Sequence, residues 1–291
     1  YPESFFTGSL LAKHKIGVKS PYSPDNIPTD ADLVVVSTAY DNKNIEVREV
    51  GRRGLRILTY PQMLGLITKK LPSVAICGSH GKTTTSGILA YILSKTAYQP
   101  IVNVGSIVPQ LLTYRARRPK LFVFEADEYQ NKFQYFFPKI AILTNIDYDH
   151  PDYFKSPAHY KSVFRKFIVR IPRNGLLIYC ADDKNVRDVA RFAKCKKISY
   201  GFSKYADFQI NVAKITPAKM TFTISAEVGL LSLRSSASAW QSKLIGNHNA
   251  LNLATAAICA KYLKIPESKI KRAIGNFAGT KRRLEMARQL R

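Results

Sequence analysis

The stretch Ser73-Val74-Ala75-Ile76-Cys77-Gly78-Ser79-His80-Gly81-Lys82-Thr83-Thr84-Thr85 breaks a short apolar run into glycines, then a lysine, then three hydroxyl residues. The apolar run predicts a buried strand, and Ile88, Leu89, Ile92 and Leu93, at helical spacing, predict the helix after Thr83. In that setting glycines turn backbone N–H groups onto phosphate oxygens at the helix N-terminus, Lys82 adds a point charge, and the Thr83 hydroxyl can hold a magnesium ion. Gly78, Ser79, His80, Gly81, Lys82, Thr83 and Thr84 thus form the expected cradle of a nucleoside triphosphate. The plainer reading is a glycine-rich turn with a solvated lysine. A strict phosphate-loop pattern wants a further glycine where Ile76 stands, so only a shorter form of the loop fits.

Working outward, Lys120-Leu121-Phe122-Val123-Phe124 and Lys139-Ile140-Ala141-Ile142-Leu143-Thr144 read as further buried strands. The first ends in Glu125-Ala126-Asp127-Glu128 and the second in Asn145-Ile146-Asp147-Tyr148-Asp149-His150-Pro151. Ligands in open α/β sheets sit at the carboxyl ends of the strands, where these residues and the glycine loop would converge. Magnesium takes hard oxygen ligands, so Glu125 is the first metal candidate, ahead of Asp127 and Glu128. A helix N-cap or a surface charge is the alternative for Glu125.

Upstream, Leu10, Leu11 and His14 predict a helix, and Asp32 to Thr38 and Leu55 to Leu58 predict strands, which makes residues 1–70 a small α/β unit. Ser37 and Thr38 sit where such a unit could meet a diphosphate, although helix capping or a plain strand end explains them equally well. Lys69-Lys70-Leu71-Pro72 is a polar break before a central domain spanning 71–276. Its later part holds a helix around Tyr160, Phe164 and Phe167, and a strand from Gly175 to Tyr179. From about 198 to 245 the alternation in Ile198-Ser199-Tyr200, Phe208-Gln209-Ile210 and Met220 to Ile224 predicts a half-exposed antiparallel sheet. Gly246-Asn247-His248-Asn249-Ala250-Leu251-Asn252 opens an alanine-rich helix to about Leu263, and Pro266, Glu267 and Ser268 start another. That helix ends before Phe277, and residues 277–291 follow it.

The chain of 291 residues has room for two domains and carries 45 Lys and Arg against 20 Asp and Glu, a formal charge of +25. The basic residues are scattered, with no basic tail and no aromatic RNA-binding signature. A solvated basic surface is therefore the default, and a nucleotide-dependent nucleic-acid-binding module the alternative. No apolar run approaches a membrane span and nothing at the start reads as a signal peptide. Cys77, Cys180, Cys195 and Cys259 form no metal-binding pair, read as small core residues, and suit a reducing cytoplasm.

Four ordered strings, Gly78 to Thr85, Glu125 to Tyr129, Asn145 to Tyr153 and Asn247 to Asn249, with Arg282-Arg283 after them, resemble the Mur ligases, the ATP-dependent amide-forming enzymes of peptidoglycan synthesis. The resemblance implies a partial Rossmann-like domain at 1–70, a central ATP-binding domain with a mostly parallel and a small antiparallel sheet, and a hinge at 277–291. It further implies that the chain lacks the family's N-terminal glycine turn and third domain, and does not turn over on its own. The residues around His150 resemble the alanine-adding members, which join L-alanine to UDP-N-acetylmuramate through an acyl phosphate.

By the same resemblance Lys82 and His150 are catalytic, Thr83 and Glu125 hold one magnesium, and His150 ligates a second metal. Imidazole is an unusual magnesium ligand, so the assignment of His150 rests on the resemblance alone. His248, Asn249 and Asn252 would hold adenine, with helix capping by Asn247 and Asn249 as the alternative. Arg283 would reach the nucleotide phosphates. Some family members carry a carbamoylated lysine, but neither Lys161 nor Lys166 sits in a matching string. The recycling ligase that attaches a tripeptide to the same sugar nucleotide is the nearest alternative.

Overall fold

The structure, a computed structural model, describes residues 8, 11, 12, 14–226 and 239–280. The chain divides into two compact units, Tyr1–Leu66 and Ile67–Arg291. The expected division at residue 70 falls at the end of a helix, Tyr60–Lys70, whereas the observed one falls inside it.

In the first unit, β1 (Leu33–Val36) pairs in parallel with β2 (Arg56–Thr59), Leu33 opposite Arg56 and Val36 opposite Thr59. Between them lies α1 (Ile45–Arg52), started by Asn44, whose side chain accepts from the N–H groups of Glu46 and Val47. The Ser37 hydroxyl accepts from the N–H of Ala39 at 3.3 Å, so it closes the turn after β1.

The second unit begins with the remainder of α2 (Tyr60–Lys70) and is built on nine strands in one sheet. In chain order they are β3 (Ser73–Cys77), β4 (Ile101–Asn103), β5 (Phe122–Glu125), β6 (Ile140–Leu143), β7 (Leu176–Cys180), β8 (Lys196–Gly201), β9 (Phe208–Ile215), β10 (Met220–Ala226) and β11 (Trp240–Ser242). In space they run 11-10-9-8-7-6-3-5-4. From β4 through to β9 all pairings are parallel, and the β9–β10 and β10–β11 pairings are antiparallel. The segment expected as an antiparallel sheet is thus an edge of the main sheet, and its first member, β8, runs parallel to β7. Ile198 and Tyr200 in β8 are buried in the core, and Ser199 between them is buried too. That burial on both faces is the mark of an interior parallel strand, and period-two alternation in so short a run hid it.

The sheet separates two differently made cores. On one side α3 (Lys82–Ser94) and α6 (Asn247–Tyr262) pack with Val74, Ile76, Val123, Ile142 and Ile178. Every residue of α3 from Thr83 to Leu93 is buried, the hydroxyl residues of its first turn as well as the apolar run from Ile88 to Leu93, so this is a central helix covered all round. Its partner α6 contributes Ala250, Ala254, Ala256, Ala257 and Ala260, whose small side chains let the backbones approach. Here α7 (Glu267–Asn276) adds Ile270 and Ile274. The other core is aromatic. Phe124 lies opposite Ala75 in the β3–β5 register, and its ring meets Phe136 edge-on at 5.1 Å. Phe133 stacks on Phe167 at 4.2 Å; Phe167 comes from α4 (Pro157–Ile168). Each such ring contributes about 1.5–3 kcal/mol on full burial. A short helix not anticipated in the sequence, α5 (Lys184–Ala190), follows β7 and is capped by Asp183, which accepts from the N–H of Val186. Among the described residues no helix is long and apolar enough to cross a membrane.

Candidate functional site

The order of strands reverses at β3: the chain first builds β4 and β5 on one side of it, then β6 and β7 on the other. The carboxyl end of β3 is therefore where an α/β sheet opens a crevice. There the chain turns through Gly78 at φ 133° and Gly81 at φ 82°, the second serving as N-cap of α3. Both angles belong to glycine. A Cβ on Gly78 would also stand 2.1 Å from Thr144 Oγ1, and one on Gly81 2.4 Å from Asn252 Oδ1. The loop is laced to the end of β6. The N–H of Ser79 donates to Asn145 O at 3.1 Å, that of His80 to Asn145 Oδ1 at 2.8 Å, and Thr144 Oγ1 donates to His80 O at 2.7 Å.

Lys82, the first residue of α3, turns its side chain back over the loop. Its Nζ donates to Gly78 O at 2.5 Å and Ser79 O at 3.3 Å, and lies 3.4 Å from the buried carboxylate of Glu128. Thr83 Oγ1 donates to Glu125, 3.0 Å from Oε2 and 3.3 Å from Oε1, and Glu125 Oε2 also accepts from the N–H of Gly105 at 3.0 Å. Glu125 ends a strand and caps no helix. A hydroxyl and a carboxylate side by side are hard oxygen donors of the kind magnesium takes, so this pair fits the metal expected of it. Among the described residues no three His, Cys, Asp or Glu side chains form a metal cage of their own, so an ion here would share oxygen atoms with a ligand.

His150 stands apart from that pair among the described contacts. Its φ is 56°, its ring lies 4.7 Å from that of Tyr129, and its nearest carboxylate is Asp149 at 3.9 Å. Asp127 is occupied by Lys132 at 2.5 Å. His80 faces Asp147 across 3.7 Å with both side chains exposed.

The third expected group comes from the start of α6. His248, Asn249 and Asn252 line a cleft of about 250 Å³ together with His80, Gly81 and Thr84 of the loop. Gly246, not Asn247 or Asn249, is the N-cap of α6 and makes no side-chain cap bond. Asn249 Nδ2 donates back to Ile245 O at 2.9 Å, and Asn252 Oδ1 accepts from Thr85 at 3.2 Å. Thr144, Asn145, Tyr200 and Thr280 complete the walls, and none of them carried a role in the sequence reading. Thr144 and Asn145 were findable as the polar pair closing a buried strand. Tyr200 and Thr280 were not, because only folding brings them there. Among the described residues Thr280 Oγ1 is buried without a partner, a polar atom available to a bound molecule, which fits a nucleotide in this cleft. Arg283 lies outside the described residues.

All four cysteines are free and buried. Burial raises their thiols, to about 11 for Cys180 and about 12 for Cys259, so they are inert packing groups.

The Mur ligase middle domain matches residues 76–260. The UDP-N-acetylmuramate–L-alanine ligase of Borreliella burgdorferi is 32% identical over 99% of this chain and 63% of its own length. That of Acetivibrio thermocellus is 35% identical over 96% of this chain and 59% of its own. Among solved structures, a UDP-N-acetylmuramate-alanine ligase from Thermotoga maritima superposes with a TM-score of 0.80 at 24% identity, over 98% of this chain and 64% of that one. The UDP-N-acetylmuramate:L-alanyl-gamma-D-glutamyl-meso-diaminopimelate ligase from Neisseria meningitides gives 0.79 at 20% identity, over 97% and 90%. The chain spans about six-tenths of the length of these two curated relatives.

Proposed function

The chain belongs to the Mur ligase family, and on that premise we propose that the whole protein is an ATP-dependent ligase that joins L-alanine to UDP-N-acetylmuramate. The observation that carries this reading is the single cleft in which the glycine loop meets His248, Asn249 and Asn252. A nucleotide with its phosphates on the loop would extend its base toward α6. The relatives named above support the choice of acceptor.

In this reading the muramyl carboxylate attacks the γ-phosphorus of ATP and ADP leaves. The resulting acyl phosphate is attacked by the amine of alanine, which forms the amide and releases phosphate. Catalysis of this kind is mostly positioning and electrostatic stabilisation of the transferring phosphoryl group. The N–H groups of Gly81 and of the first turn of α3 would face the phosphates, and Lys82 would exchange the carbonyls of Gly78 and Ser79 for the β and γ oxygens. Thr83 and Glu125 would hold magnesium, which neutralises charge developing on those oxygens. His150 is assigned to a second metal and Arg283 to the phosphates by family resemblance. Free buried thiols and nucleotide substrates both fit a cytoplasmic enzyme.

Phosphate release by the whole protein, with ATP, magnesium and UDP-N-acetylmuramate, tests the reading when L-alanine, glycine, L-serine and the L-Ala-D-Glu-diaminopimelate tripeptide are compared as acceptors. Release dependent on L-alanine is expected. Dependence on the tripeptide would move the protein to the recycling branch, and release with none of them would overturn the ligase reading.

A further inference from the structure

Tyr160 lies on α4, far from the glycine loop in sequence, yet its hydroxyl is placed among three loops of the site. It donates to Glu128 Oε1 at 2.9 Å and lies 2.9 Å from Ser79 Oγ. Glu128 is 1% exposed, and its other oxygen, Oε2, faces Lys82 Nζ at 3.4 Å. Ser79 Oγ donates to Asp147 O at 2.7 Å and accepts from the N–H of Asp147 at 2.9 Å. One side chain therefore joins the glycine loop, the segment after β5 that carries Glu128, and the segment after β6 that leads to His150.

The proton inventory fixes the direction of these bonds. An ionised carboxylate only accepts, so the Tyr160 proton goes to Glu128; the one Ser79 proton is shared between Asp147 O at 2.7 Å and Tyr160 Oη at 2.9 Å. Burial, with Glu128 adding to it, holds the phenol well above its ordinary pKa, so it stays a donor. The ring is itself fixed, meeting Phe154 edge-on at 4.8 Å, Phe164 at 5.1 Å and Tyr148 at 6.1 Å. A buried carboxylate with a single lysine partner would pull that lysine toward itself. With the phenol sharing its charge, Glu128 anchors Lys82 from one side and leaves it free to face phosphate from the other.

We propose that Tyr160 is a positioning residue of the nucleotide site: through Glu128 and Ser79 it sets the place of Lys82 and locks the glycine loop to the 145–150 segment. The proposal rests on the nucleotide reading of that site only in its second consequence. Its first concerns the loop itself.

The test is Tyr160→Phe, which keeps the ring and removes the hydroxyl, with Glu128→Gln and the double variant beside it. Amide hydrogen exchange in 78–82 and 145–150 should quicken about tenfold in Tyr160→Phe, the equivalent of one lost hydrogen bond to a charged group, while β7, β8 and α6 keep their protection. MgATP affinity, measured by calorimetry, should fall by a similar factor. The double variant should lose no more than the worse single variant, because both act through one network. Unchanged exchange in the two loops would overturn the proposal, as would additive losses in the double variant. Faster exchange with no MgATP binding by the unaltered protein would keep the positioning role and sink the nucleotide reading instead. Should Glu128→Gln fail to fold, Ser79→Ala tests the second arm, and the proposal requires it to quicken exchange in 145–150.

Discussion

At the level of single residues, the glycines of the loop were legible as the turn between a buried strand and a helix, but the reason each must be glycine was not. That reason lies in partners far along the chain: Thr144 for Gly78 and Asn252 for Gly81. At Gly78 the intruding atoms include the backbone oxygen of Asn145 at 2.9 Å, which cannot swing aside as a side chain can. Gly78→Ala combines that clash with φ 133°, and should lower unfolding stability by about 2–4 kcal/mol in urea titration. A loss below about 0.5 kcal/mol would mean that the loop shifts freely. Thr83 and Glu125 were read as a metal pair from strand ends and motif, and they stand in hydrogen-bond contact. Tyr160 could not have been read as part of the site. Its helical spacing with Phe164 and Phe167 announced a core aromatic, which it also is.

At the level of elements, long or strongly apolar segments were predictable and short ones less so. β3, α3 and α6 fall where periodicity put them. By contrast α5, seven residues long, was not anticipated, because aspartates such as Asp182 and Asp183 signal a turn and a helix cap with the same side chains. Elements also carry electrostatics that no motif announces. At the end of α1, Glu49 accepts from Arg52 at 2.7 Å and Arg53 at 2.6 Å, and hydrogen bonds from these guanidiniums lower its pKa to about 2. A carboxylate with a depressed folded-state pKa contributes stability above its unfolded value near 4.5, and loses it as pH falls toward 2. Compared with Glu49→Gln, the unaltered protein should therefore resist urea better at pH 7, and the gap should close between pH 4.5 and 2. A gap constant over that window would show that the clamp is not electrostatic.

For the whole molecule, the fold class followed from strands alternating with helices around a glycine loop, but the sheet's continuity did not. Alternation cannot tell a separate antiparallel sheet from strands added to the edge of a parallel one, since both leave one half-exposed face. The register of β8 against β7 and of β9 against β8 makes it one sheet. The charge of +25 is scattered along the sequence, and the cleft beside the glycine loop sets amides, hydroxyls and imidazoles against an apolar wall that includes Leu244, Leu251 and Tyr200. The central claim, that this cleft and its loop hold a nucleotide triphosphate, is tested most directly by calorimetric titration of the protein and of Lys82→Ala with MgATP. The account predicts one site per chain and an affinity lowered at least tenfold in the variant, with the variant still folded by circular dichroism at the temperature of the titration, although its unfolding midpoint falls because Glu128 loses its lysine partner. Equal affinity in the two proteins, or no heat of binding in either, would contradict it.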